Sequence, residues 1–350
     1  TAWYLKASKY IQGTNIKVAF VSTNSISQGE QVGILWKELF SNYGIKIHFA
    51  HQTFNWSNEA KSNAAVHVVI IGFAQFDSTN KRIFEYENIK SNAHEKSAKN
   101  INAYLVEGDD IVIEKRRKPL CNVLNIIKGN YYAKSEGLII EEKDLDYLVK
   151  NEPNAKKWIK LLIGADEFIN NRKRYCLWLV DCPPDELRKM PLVMERVNRV
   201  REDRLKSTDK GMQNLAPIRF RETNNPDKCI VIPVVSSEKR PYIPIGFIDK
   251  NTISTNGNLI IPNGDLFLFG QLTSLMHMAW VKYTCGRLKS DYRYSKDLVY
   301  NNYPFPKNVS EKQKKAVEEK AQNVLDIRAS FSDCSLADLY DPLSMPPNLK

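Results

Sequence analysis

The first 76 residues alternate apolar runs with polar turns in the order typical of an α/β fold. The predicted elements are a helix end at residues 3–11, strands at 18–21, 45–49 and 66–73, and a helix with the apolar stripe Val32, Leu35, Trp36 and Leu39 that stops at Gly44. Residues 54–65 form a polar turn region before the last strand. This order predicts a parallel sheet edge finished by a β-hairpin.

Three polar residues, Ser22, Thr23 and Asn24, follow the first predicted strand. In open α/β sheets, side chains at the carboxyl ends of parallel strands face the ligand crevice. The pattern therefore indicates a ligand-facing loop. Ser, Thr and Asn are also the residues preferred at helix N-caps. The sequence therefore leaves both interpretations open, a ligand-facing loop and a helix N-cap.

The pattern changes after this segment. Residues 77–102 lose periodicity and form a linker or excursion, whereas residues 103–306 alternate short strands, turns and helical stretches as an α+β domain does. The predicted strands are 111–113, 138–140, 175–179, 229–235 and 258–261, and the predicted helices are 143–150, 184–205 and 266–288. Residues 307–350 form a helical C-terminal segment with a charged helix at 310–329.

Composition narrows the class of protein. A chain of 350 residues is long enough for two or three domains. Its apolar runs are much shorter than the roughly 20 residues of a membrane helix, and the first residues do not resemble a signal peptide, so we expect a cytoplasmic protein without a membrane partner. The six cysteines are scattered without a CxxC pair. His48 and His51, three apart in a strand, point to opposite faces, so no metal site is predicted.

A net charge of +11 favours a polyanionic partner. One basic group lies on a predicted helix with Arg196, Arg199, Arg201 and Arg204, where a solvated face with local ion pairs is an equal alternative. The other is "CGRLKSDYRYSK", in which Arg287, Lys289, Arg293 and Lys296 alternate with tyrosines. Together with Ser290, Ser295, Asn301 and Asn302, this second cluster predicts DNA contact. No GxSxG, P-loop or GxGxxG motif is present, so no complete catalytic constellation is visible.

Long ordered stretches resemble one family. "AWYLKASKYI", "VAFVSTNSISQGEQVGILW", "IKIHFAHQTFNWSNEA" and "AAVHVVIIGF" are similar to the downstream half of an adenine-specific, amino-group DNA methyltransferase. The resemblance is to the MmeI-like (type IIL/IIG) single-chain restriction–modification enzymes. It continues through "RRKPLCNV", "GADEFINNRKRYCLWL" and "SLADLYDPLSMPPNL" to the end of the chain.

The resemblance implies an organisation. Residues 1–76 would be the C-terminal part of a Rossmann-like methyltransferase sheet, 77–102 a linker, 103–306 the target recognition domain, and 307–350 an incomplete helical segment. In the family, the S-adenosylmethionine loop and the Asn-Pro-Pro-aromatic catalytic loop lie upstream of the matching region. We therefore expect a fragment without catalytic residues that does not bind S-adenosylmethionine tightly, and whose partners are double-stranded DNA and the missing N-terminal portion.

The resemblance also implies site residues. Phe73, at the end of its strand, would stack on a flipped target adenine, unless it is an ordinary core aromatic. Ser22, Thr23 and Asn24 would line the same pocket. The residues expected to bind DNA are Arg287, Lys289, Arg293, Tyr294, Lys296, Arg219, Arg221 and Arg240. Two other functions stay open: a nuclease-less, methyltransferase-like phage-defence protein, and a basic nucleic-acid or protein interaction module.

Overall fold

A computed structural model describes residues 1–56, 66–88 and 91–350. The chain divides into two compact units. Unit 1 contains residues 1–121 and 279–304, and unit 2 contains residues 122–278 and 305–350. The basic cluster at 285–296 therefore belongs to the same unit as the N-terminal α/β segment.

Unit 1 is built on a five-stranded sheet in the order β1-β3-β2-β4-β5. Its strands are β1 (Val18–Thr23), β2 (Lys46–Trp56), β3 (Val66–Ala74), β4 (Lys81–Glu85) and β5 (His94–Ala98). Its helices are α1 (Ala2–Tyr10) and α2 (Glu30–Tyr43), the latter ending at Gly44 in the left-handed conformation. The fold class predicted for this segment is confirmed.

Strand direction decides which residues share an edge of this sheet. β3 lies between β1 and β2 and is antiparallel to both, while β2 and β4 are parallel. β1, β2 and β4 therefore run in one direction and end at the same side, which we call the carboxyl edge. The hairpin of β2 and β3 is as predicted, but β3 separates the two parallel strands that were expected to be neighbours.

One face of the sheet packs against both helices. The four residues of the predicted α2 stripe are all buried, and the Trp36 indole Nε1 donates to the Ile26 carbonyl at 2.8 Å. Tyr4 of α1 packs edge-on against Trp36 and stacks on Phe73. Burial of these large side chains, each worth roughly 1.5–3 kcal/mol, stabilises the unit.

Unit 1 also contains a hairpin at residues 286–293 and the end of α9 (Leu275–Thr284). The two strands of this hairpin are β15 (Gly286–Leu288) and β16 (Asp291–Arg293), numbered by their order in the chain, and they pair antiparallel. A short π-helix (Lys296–Tyr300) follows.

Unit 2 has two four-stranded sheets, β13-β8-β9-β7 and β12-β10-β14-β6. Its strands are β6 (Ile127–Lys128), β7 (Ile139–Glu141), β8 (Ile159–Ile163), β9 (Arg174–Leu177), β10 (Lys228–Pro233), β11 (Val235–Ser236), β12 (Gly246–Asp249), β13 (Thr252–Ser254) and β14 (Asn258–Pro262). Its helices are α3 (Glu142–Asn151), α4 (Ala165–Asn170), α5 (Pro184–Leu187), α6 (Pro191–Leu205), α7 (Lys210–Gln213), α8 (Leu266–Leu272), α10 (Glu311–Ala329) and α11 (Leu336–Leu339). This α+β unit with a C-terminal helical segment is also as expected.

Several predicted elements differ in the structure. β4 and β5 lie inside the segment expected to be a linker, and residues 111–113 form no strand. The single helix predicted at 184–205 is two helices, because Pro191 begins a new one. The helix predicted at 266–288 breaks at Thr273, where α8 ends, and residues 286–288 are strand instead. Within the described residues, no helix is long and apolar enough to cross a membrane.

Candidate nucleic-acid interface

The polar loop Ser22, Thr23 and Asn24 lies at the carboxyl edge, as expected. Ser22 Oγ is 2.9 Å from the Tyr4 hydroxyl, and Thr23 Oγ1 is 3.0 Å from Ser25 Oγ. The capping interpretation holds in position only: Thr23 is the N-cap residue of the 3₁₀ turn Asn24–Ser27 but makes no side-chain capping hydrogen bond, and the N-cap residue of α2 is Gly29. Thr23 is exposed and Asn24 half-buried, so these two polar groups are available to a ligand.

Phe73 does not lie at this edge. It pairs with Val18 at the beginning of β1, whereas Ser22 pairs with Val69. Four residues of strand, about 13 Å, separate the two pairs. Phe73 is 1% exposed, and its ring stacks on Tyr4 with centroids 5.5 Å apart. The structure thus does not bring Phe73 together with the Ser22–Thr23–Asn24 loop, and its ring is part of the core.

Other aromatic side chains occupy the carboxyl edge instead. Phe54 and Trp56 end β2, and the Phe54 ring stacks on Tyr86, just past β4, at 5.1 Å and 19°. Trp56 is 40% exposed. The predicted turn at residues 54–65 is corrected at its start, because Phe54 and Trp56 belong to β2, and the "TFNW" spacing of two is that of a strand face.

A stacked pair supports these aromatics from within the sheet. The His51 ring lies on Phe84 at 4.1 Å and 5°, and His51 Nδ1 is 2.9 Å from the Tyr86 hydroxyl. Burial lowers the pKa of His51, which favours the neutral ring. The edge therefore combines stacked rings with the exposed polar loop.

The hairpin of β15 and β16 presents only part of the predicted basic cluster. Lys289 and Arg293 are exposed, and Lys289 has the positive φ of 57° that the tight turn requires. Arg287 is half-buried: its guanidinium lies 3.8 Å from the Tyr292 ring centroid and donates to the Ser290 carbonyl at 3.1 Å. Arg287 thus holds the hairpin together.

The remaining members of this cluster lie inward. Tyr294 is 2% exposed, and burial raises the pKa of its hydroxyl well above the ordinary value. Asn301 and Asn302 are also buried and donate to main-chain carbonyls. Lys296 is half-buried, 3.6 Å from Asp297. The expected DNA contacts of Tyr294 and the two asparagines are therefore corrected: in this fold they are internal.

Unit 2 holds the other expected DNA-binding residues. Arg221 is exposed, with Nη1 3.5 Å from Asp209 Oδ2. Arg219 donates to the Arg221 carbonyl at 3.3 Å, and Arg240 donates to Ser236 Oγ at 3.4 Å. Arg219 and Arg240 are half-buried.

The arginines of α6 are divided between two roles. Arg199 is exposed on α6 and 3.9 Å from Glu195, as a solvated face predicts. Arg196 and Arg204 instead donate to main-chain carbonyls, Arg196 to that of Ile139 at 2.9 Å and Arg204 to that of Lys134 at 3.2 Å.

No metal site emerges in the part of the chain that the structure describes. No three metal-ligating side chains converge there, and His48 instead contacts the Phe76 carbonyl at 2.8 Å. A cavity of about 600 Å³ opens beside Lys17, Phe73 and Arg82. No acidic side chain among the described residues lines this cavity, so it offers no carboxylate to the cationic sulfonium of S-adenosylmethionine.

Gly29, just before α2, and Gly286, the first residue of β15, lie in close main-chain contact. Gly29 has φ 62° and ψ −146°, a conformation essentially confined to glycine. A Cβ on Gly29 would lie 2.8 Å from the Gly286 Cα. The hairpin strand β15 therefore begins in main-chain contact with the start of α2.

We expect Gly29→Ala to lower the free energy of unfolding by about 2 kcal/mol, because backbone strain and the close contact add. Gly44→Ala is the matched control: Gly44 also has positive φ, 58°, but no atom lies within 4 Å of its Cβ position. The control should lose about 1 kcal/mol from backbone strain alone. Urea unfolding followed by circular dichroism measures both, and equal losses would contradict the close contact.

The whole chain is similar to known proteins of one family. Family models match residues 1–85 as the MmeI DNA-methyltransferase domain, 107–307 as the MmeI target recognition domain and 309–350 as the MmeI C-terminal domain. The chain is 43% identical to DNA methyltransferase A of Bacillus subtilis (strain 168), covering 100% of this chain and 39% of that protein. It is 46% identical, with a TM-score of 0.89, to the Type IIL restriction–modification enzyme MmeI in complex with DNA, covering 99% of this chain and 47% of that one. The chain thus spans less than half the length of both relatives.

Proposed function

Because the chain belongs to the MmeI family, we propose that it recognises a DNA sequence and completes the target-adenine site of an adenine-N6 DNA methyltransferase. The whole protein would act in a restriction–modification system. Its partners are double-stranded DNA and an N-terminal portion that carries the catalytic loop and binds S-adenosylmethionine. Action on DNA of this kind takes place in the cytoplasm.

The assignment of domains follows the proposal. Residues 1–76 with the β4–β5 extension complete the methyltransferase sheet, 103–306 include the recognition elements, and 307–350 are the C-terminal segment. No catalytic residue is assigned to this chain. S-adenosylmethionine supplies the methyl group when it is bound elsewhere in the whole protein.

The observation that carries the proposal is the composition of the carboxyl edge of unit 1. A flipped adenine needs an aromatic face to stack on and polar groups for its edge. Trp56 and Phe54 offer the first, and Thr23 and Asn24 offer the second, at one edge of the sheet. Phe73 is not part of this proposed site.

Sequence readout is proposed for side chains that are at least partly accessible. In unit 1 these are Lys289, Arg293 and Lys296, with Arg287 shaping the hairpin. In unit 2 they are Arg219, Arg221 and Arg240. An arginine fork reads guanine through two hydrogen bonds, and each such pair is worth roughly 1–3 kcal/mol of discrimination.

We expect this chain to select a short, asymmetric, adenine-containing motif from a randomised duplex library. The measurement is sequencing of the duplexes bound at about 50 mM and about 200 mM salt, where phosphate contacts make affinity fall with salt. An RNA duplex of the enriched sequence is the control and should bind more weakly. Equal binding of the RNA, or no binding to DNA at either salt concentration, would contradict the proposal.

A further inference from the structure

A segment without regular secondary structure crosses unit 1 alongside α2. Three ion pairs hold it: Asp110 to Lys46 at 3.2 Å, Glu114 to Lys37 at 2.7 Å and Lys115 to Glu30 at 2.6 Å. Gly33 allows the segment to approach α2 closely, because a Cβ on Gly33 would lie 3.0 Å from the Ile113 carbonyl oxygen. The segment therefore runs from the beginning of β2 to the first residue of α2.

The main chain that follows is fixed by two buried asparagines. Asn301 Nδ2 donates to the Arg116 carbonyl at 2.7 Å, and Asn302 Nδ2 donates to the Glu114 carbonyl at 2.9 Å. The Arg116 N–H donates to the Asp297 carbonyl at 2.8 Å, and the Leu120 N–H to the Asn301 carbonyl at 2.7 Å. Buried amides that pair fully with main chain make such a segment rigid.

This rigid segment displays four consecutive cations, Lys115, Arg116, Arg117 and Lys118, all exposed. Lys115 is neutralised by Glu30. The Arg116 Nε donates to Asn302 Oδ1 at 3.3 Å, and within the described residues its two Nη groups have no hydrogen-bond partner. Among the residues that the structure describes, Arg117 and Lys118 have no acidic side chain within ion-pair distance. Fixing like charges side by side is unfavourable by itself, so the arrangement favours an anionic ligand.

The position of this basic segment, residues 115–118, indicates which anionic ligand it binds. Glu30, which holds Lys115, begins α2 directly after the loop that contains Thr23 and Asn24. Phosphates on either side of a flipped nucleotide must lie close to the base pocket, because only one backbone unit separates them from the base.

We propose that Arg116, Arg117 and Lys118 form a phosphate-binding site for the DNA backbone next to the target adenine. The inference rests on the proposed function. The site holds phosphodiester oxygens without reading sequence, since Arg and Lys on a fixed main chain position a duplex but carry no base information. The buried Asn301 and Asn302 are positioning residues for this site.

The test compares Arg117→Gln/Lys118→Gln with Lys312→Gln/Lys315→Gln. The second pair removes the same charge from exposed lysines of α10. Anisotropy titrations use the duplex enriched from the library, over a series of salt concentrations. We expect the first variant to bind roughly 10- to 100-fold more weakly at about 0.1 M salt, with a log–log salt slope smaller by about 2, while the motif preference stays unchanged. The control should keep the wild-type slope.

Three outcomes would overturn the inference. If Arg117→Gln/Lys118→Gln keeps the wild-type slope, the site is wrong although the proposed function stands. If that variant changes the preferred motif, these side chains read bases and do not hold phosphate. If the wild-type chain binds no duplex at about 50 mM salt, the proposed function fails, and this site fails with it.

Discussion

Replacing Arg204 by methionine is expected to lower the free energy of unfolding by about 3–5 kcal/mol. Arg204 is 1% exposed, and among the described residues no acidic side chain lies within ion-pair distance of its guanidinium. It donates to the carbonyls of Lys134, Leu215, Ala216 and Arg219 and to Ser135 Oγ. Methionine fills a similar volume but leaves these buried acceptors without a donor, and each unsatisfied group costs about 1–3 kcal/mol.

Arg199→Met is the matched control, because Arg199 is exposed on the same helix and 3.9 Å from Glu195. Exposed pairs of this kind contribute about 0–1 kcal/mol, so the control should unfold close to wild type. Urea unfolding followed by Trp fluorescence reports on the transition, since Trp178 lies in the core that also contains Phe220. Equal midpoints for the two variants would show that Arg204 does not hold the 215–219 segment.

Arg204 also shows why the sequence could not separate supporting from DNA-binding arginines. Arg199 and Arg204 lie five residues apart on α6, in the same kind of charged sequence. One is solvated and the other is buried against a segment more than ten residues downstream. The burial depends on long-range packing, which local composition does not contain. For the same reason Tyr294, Asn301 and Asn302 were expected at the DNA and are internal.

The local sequence pattern was sufficient to predict features that depend on a single helix or strand. The helical spacing of the α2 stripe predicted its buried face, and Gly44 predicted its end. β5 was missed because four of its five residues are exposed, so its sequence shows no alternation of apolar and polar residues. The insertion of β3 between β1 and β2 was missed because pairing between distant strands leaves no local signal. That insertion decides which residues reach the carboxyl edge.

Phe73 is the residue whose role depends most on this insertion. We expect Phe73→Ala to lower the free energy of unfolding by about 3–5 kcal/mol, as truncation of a buried aromatic does. The Phe73 ring stacks on Tyr4 at 5.5 Å and lies 6.0 Å from Phe20, and the loss of these contacts leaves a cavity beneath α1. Phe73→Leu keeps most of the volume and should lose less than about 1.5 kcal/mol.

Trp56→Ala is the contrasting variant at the carboxyl edge. Trp56 is 40% exposed, so its removal should change the free energy of unfolding by no more than about 1 kcal/mol. In a whole protein containing the N-terminal portion, the same change should weaken binding of a duplex with a flipped target base by about 1–3 kcal/mol, the value of one base stacked on an aromatic ring. Phe73→Leu should leave that binding unchanged, because a core side chain does not touch the base. If Phe73→Leu weakens the binding and Trp56→Ala does not, Phe73 reaches the base after all, and the pocket lies at the other end of β3.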